Sequence, residues 1–87
     1  MRRTDPWRIG PRQWEILLLA IRSPGHVKSW YGNRVGPSRQ YGNDALNRAE
    51  AAGLVIFRDN PERRGSYLVY PTEYGEGLLG RWYYGRD

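Results

Sequence analysis

The most constraining feature of this chain is the order of signals across residues 45–75. Ala51-Ala52-Gly53-Leu54-Val55 reads as a helix closing into a strand: glycine takes the left-handed conformation that ends a helix, and β-rich residues follow. Residues 54–58 and the alternating, aromatic residues 66–70 read as two strands, and Asn60-Pro61-Glu62-Arg63-Arg64-Gly65 between them is a hairpin connection. Thr72-Glu73-Tyr74-Gly75 then opens another helix, with Thr72 as its cap. The order is helix, strand, arginine-tipped hairpin, strand, helix. A two-stranded ribbon is marginal alone and must lie on helices.

Those helices are legible upstream. From Pro11, which suits a first turn, Trp14, Leu17, Leu18 and Ile21 recur at i, i+3, i+4 and i+7 until Ser23-Pro24-Gly25 stops the pattern. Val27, Trp30 and Tyr31 predict a second helix of barely two turns ending at Gly32. After turn residues 33–37, Ser38 can cap a third helix with a buried stripe of Tyr41 or Gly42, then Ala45, Leu46 and Ala49, closed by Gly53. Its opposite face carries Arg39, Gln40, Asn43, Asn47 and Glu50. In the last helix Gly75, Leu78, Leu79 and Trp82 share a face. The expected organisation is a basic arm over 1–10, one domain over 11–82 and a tail over 83–87, since 87 residues permit one small core.

Between about Pro11 and Leu79 the chain resembles winged-helix DNA-binding domains of the MarR and PadR type. Their pattern is an amphipathic helix ending in Leu-Glu-x-x-Gly-Leu-Val, an Arg-bearing wing, and Leu-Thr-x-x-Gly opening the next helix. The resemblance implies an α+β winged helix-turn-helix: three helices, a two-stranded wing and a C-terminal helix. Three positions depart from the pattern. Ala49 stands where the family has a large Leu, which leaves volume for Trp14, Trp30 or Tyr67 to fill; Pro71 replaces the Leu before Thr, so the second strand should end early; and Gly32, Gly36 and Pro37 occupy the turn before the third helix.

Charge agrees with a nucleic-acid partner. Lys plus Arg number 14 against 9 Asp plus Glu, a formal +5, and every cation but Lys28 is arginine, the side chain that pairs bidentately with phosphate or guanine. High-GC codon usage would also enrich arginine, so placement counts for more than number. In a helix-turn-helix the third helix enters the major groove. Arg39, Gln40, Asn43 and Asn47 are the base-reading candidates, because arginine bonds guanine O6 and N7 while Asn and Gln bond adenine N6 and N7. A polar stripe is ordinarily just a solvated face, but two Asn one turn apart sacrifice helix propensity, which a solubilising stripe has no reason to do. Ser38, Arg58, Arg63 and Arg64 are candidates for the DNA backbone or the minor groove, as the resemblance implies for a wing tip. Arg48 and Arg58 can instead pair with Asp44 and Asp59.

Other classes fit less well. There is no cysteine, hence no disulfide or thiolate chemistry, and the longest apolar run, 16–21, is far short of a membrane span, so a cytoplasmic protein is expected. His26 is the sole histidine and reads as a turn or cap residue; with no nucleophile elbow or phosphate loop, the expectation is no enzyme, no cofactor and no small-molecule pocket. Trp82, Tyr83 and Tyr84 suggest a homodimer contact, or else cover the small core. The leading function is a regulator of transcription, a repressor by preference, on double-stranded DNA. The alternatives are a protein-docking winged helix using its Trp and Tyr surface, and single-strand or RNA binding by stacking on tyrosines.

Overall fold

The computed structural model describes residues 9–83, with side chains through Gly80. Helices α1 (Pro11–Arg22), α2 (Lys28–Gly32) and α3 (Arg39–Ala51) precede a hairpin of β1 (Val55–Asp59) and β2 (Tyr67–Pro71), and α4 (Glu73–Tyr83) closes the order. The class is α+β, as expected, and no helix among the described residues is long and apolar enough to cross a membrane.

Helix α1 begins with Pro11, whose missing N–H is needed by no partner there. It packs against α2, α3, β2 and α4. Contact on several sides shifts its buried arc from the expected stripe: Ile16, Leu17 and Ala20 are fully buried, Trp14 and Ile21 pack partly, and Leu18 stays outside the core cluster. Each large side chain buried in this way stabilises the fold by about 1.5–3 kcal/mol.

Helix α2 is shorter than its apolar spacing predicts. Val27 lies outside it in extended conformation and forms a bridge with Leu68, while the Val69 N–H donates to the His26 carbonyl (2.9 Å) and the Gly25 N–H to the Val69 carbonyl (2.8 Å). Residues 25–27 thus occupy the edge of β2 that β1 leaves open. A helical spacing of three apolar residues could not distinguish this from a longer helix, because a partner remote in sequence decides it.

Helix α3 follows its sequence signals. The Ser38 hydroxyl accepts from the Tyr41 N–H (3.2 Å), and at the other end Gly53 (φ +82°) lets its own N–H reach the Glu50 carbonyl and the Leu54 N–H reach Ala49. Of the two alternatives for the stripe, Gly42 is buried and Tyr41 is 50% exposed. A Cβ on Gly42 would overlap the Gly32 carbonyl and approach that of Val35 within 2.6 Å, so α2 and α3 meet backbone to backbone. The aromatic side chain in the interior is Tyr31, the largest fully buried one; Trp14 and Trp30 only flank the core, and Tyr67 is exposed.

The ribbon is antiparallel, pairing Val55 with Pro71 through Asp59 with Tyr67. Pro71 therefore does not end β2 early. The bonds from Asn60 N to Ser66 O and from Thr72 N to Leu54 O fix the phase of the ladder, and Pro71 opposite Val55 falls where β1 requires no N–H. Thr72 joins the pieces: its hydroxyl donates to the Gly53 carbonyl (2.5 Å) and accepts the Gly75 N–H (2.9 Å), tying the end of α3 to the start of α4. Gly75 packs so closely that a Cβ would overlap the Leu54 carbonyl.

Candidate nucleic-acid interface

Gly42, Ala45, Leu46 and Ala49 turn inward, so the centre of the outward arc of α3 falls on Gln40, Asp44 and Asn47. Ser38, Gln40, Tyr41, Asn43, Asp44 and Asn47 line a shallow concavity along this face. The four residues singled out by sequence are not equivalent. Gln40 and Asn47 are exposed near the centre, and Arg39 is exposed at one edge. Asn43 is half-buried, its Oδ1 2.8 Å from where a Cβ on Gly32 would stand, which places its side chain in the seam with α2.

Three neighbours lie at this face that were not among the expected site residues. Asp44 lies on the outward arc and accepts from Arg48 Nε at 3.1 Å, an exposed pair contributing at most about 1 kcal/mol; its spacing of four from Gln40 and three to Asn47 was the available signal. Tyr41 packs its ring over Gly36 (φ +86°), where a Cβ would collide with it, with the Arg12 guanidinium 5.9 Å from the ring centre. Lys28 carried no sequence signal beyond being the one lysine. Its Nζ lies 3.4 Å from Asn47 Oδ1 and 4.4 Å from the centre of the Phe57 ring.

The hairpin tip is held by backbone and amide groups. Asn60 Oδ1 accepts the Glu62 N–H (3.0 Å), the Arg63 N–H donates to the Asn60 carbonyl, the Ser66 N–H to the Arg63 carbonyl, and Gly65 takes φ +81°. No arginine side chain is needed to form the turn. Among the described residues the ion pairs are Arg12–Glu15 and Arg48–Asp44, so the exposed guanidiniums of Arg39, Arg58, Arg63 and Arg64 have no carboxylate partner. Of the two pairings the sequence allows, Arg48 with Asp44 forms, whereas Arg58 does not pair with Asp59, since adjacent strand residues point to opposite faces.

Along α2, the exposed His26 stacks on Trp30 (4.0 Å, 6° between planes), and the Arg34 guanidinium lies 3.9 Å from the same ring while its Nη1 donates to the Trp30 carbonyl. The Tyr31 hydroxyl donates to the Ser23 carbonyl (2.5 Å) and accepts from the His26 N–H (3.2 Å). Burial pushes its pKa up, partly countered by that N–H, with Tyr70 adding a smaller upward push. The proposed arm over 1–10 falls almost wholly outside the described residues, as do Tyr84 and the side chains of Trp82 and Tyr83.

No protein-family model and no curated protein matches the chain. Solved structures do. The transcriptional regulator PcaV from Streptomyces coelicolor superposes with a TM-score of 0.75 at 23% identity, over 86% of this chain and 55% of that one. The transcriptional repressor CouR, bound to a 23-mer DNA duplex, gives 0.72 at 28% identity over 82% and 50%. A MarR family transcription regulator gives 0.72 at 31% identity over 84% and 50%. The chain spans about half the length of these structures.

Proposed function

We propose that this chain, which has the MarR-type winged-helix fold, is a sequence-specific regulator of transcription that binds double-stranded DNA. Helix α3 enters the major groove with Gln40 and Asn47 foremost and Arg39 and Asn43 beside them; the wing reaches the minor groove or its phosphates through Arg63 and Arg64, with Ser38 and Arg58 on the backbone between. The observation that carries the reading is Lys28, which touches both Asn47 on the exposed face of α3 and Phe57 in the stem of the wing. The exposed face of α3 and the stem of the wing therefore border one another, which supports one duplex meeting both.

The likeness to a repressor bound to a duplex supports the partner. Repression follows from occlusion: a protein bound across a promoter blocks it with no further chemistry. Selection of duplexes from a random pool at near-physiological salt tests the reading. Enrichment of one motif is expected, and a pool that stays random, or single strands that outcompete the duplex, would overturn it.

A further inference from the structure

Lys28 does more than border two surfaces. It is half-buried, with its ammonium held against the Phe57 ring by cation–π attraction, and its donors can be met at Asn47 only by the amide oxygen, because an ammonium has no acceptor and the amide nitrogen has no lone pair to offer. The contact thus decides which way the exposed amide points. With Oδ1 turned to Lys28, the Nδ2 hydrogens are the part of Asn47 left for anything approaching α3.

Resting on the reading of α3 as the helix that enters the major groove, we infer that Lys28 sets the base preference of Asn47, making it a reader of guanine. A free asparagine favours adenine, accepting from N6 with its oxygen while donating to N7. Here the oxygen is occupied. It keeps a second lone pair, but an adenine amino group using it would lie beside the ammonium that shares it, donor against cation. Guanine presents acceptors at both O6 and N7, which suit the exposed amide hydrogens and are drawn to the charge beside them. Lys28 is a positioning residue: it acts through Asn47 and has no need to touch the base.

Duplex selection with a set of variants tests this. Asn47→Ala identifies the position whose preference depends on Asn47. At that position the wild-type protein is expected to favour guanine over adenine about tenfold, Lys28→Arg to retain the preference, and Lys28→Met to relax it towards adenine while the rest of the motif is unchanged. In the free protein, the Asn47 side-chain amide resonances should shift in Lys28→Met and not in Lys28→Arg. An Asn47-dependent position that prefers adenine in the wild type, or one that Lys28→Met leaves unaltered, overturns the inference and spares the DNA-binding reading. The same holds for amide resonances indifferent to Lys28→Met, or for no position depending on Asn47. Absence of any enriched motif overturns both.

Discussion

Tyr31 shows how one side chain gathers several constraints. Its ring is the largest fully buried one and its hydroxyl joins the Ser23 carbonyl to the His26 N–H. Because burial raises its pKa, the folded state favours the neutral phenol: the contribution is fully present below the ordinary tyrosine value of about 10 and is lost as pH rises through the higher folded value. Tyr31→Phe is expected to cost about 1–3 kcal/mol at neutral pH and to flatten the alkaline fall in stability. Urea titrations on either side of pH 10 would show equal alkaline losses in both proteins if the hydroxyl played no part. Two glycines make an opposed pair. Gly42→Ala should destabilise by about 1–3 kcal/mol or more, as backbone must shift to admit the methyl, while Gly77→Ala, with open space around its Cβ and a helical backbone, should stabilise by about 0.5–1 kcal/mol. Thermal melting that ranks them the other way would contradict the packing described.

Among the elements, those closed by local chemistry were legible and those shaped by distant partners were not. Ser38, Gly53 and Thr72 cap their helices as the sequence indicates, because a cap is decided by one side chain and the next few residues. The extended Val27, the shifted arc of α1 and the survival of β2 through Pro71 each depend on what lies across the fold. The candidate site divides likewise: that the polar face of α3 and the arginines of the hairpin would be exposed was readable, whereas the inward turn of Asn43 and the reach of Lys28 to Asn47 arise only when α2 and the hairpin close on α3. Ser38→Ala should cost about 0.5–2 kcal/mol, measured by denaturant unfolding, and an unchanged midpoint would deny the cap its role. In the wing, Arg64→Ala should weaken all duplexes alike and lower the salt slope of binding by about one. A variant that instead changes the selected motif would place Arg64 on a base edge.

At the level of the whole molecule, an excess of guanidinium on a small domain makes salt the first variable of any binding measurement. The binding constant should fall linearly on logarithmic axes as salt rises, with a slope of about 0.9 for each phosphate neutralised, and affinity indifferent to salt would falsify the electrostatic part of the proposal. If two copies act together, half-sites one duplex turn apart, about 34 Å, should be selected, and sedimentation of the protein with and without such a site would show the pairing. The backbone contact at Gly42 bears on how such a pair could be controlled. With no side chain cushioning the joint, turning one helix against the other would press carbonyl oxygens into the Gly42 backbone, so the two are expected to travel as a single lever. On the proposed reading, a signal that alters how α3 meets DNA would then have to swing that lever entire, from outside it, rather than retune α3 alone.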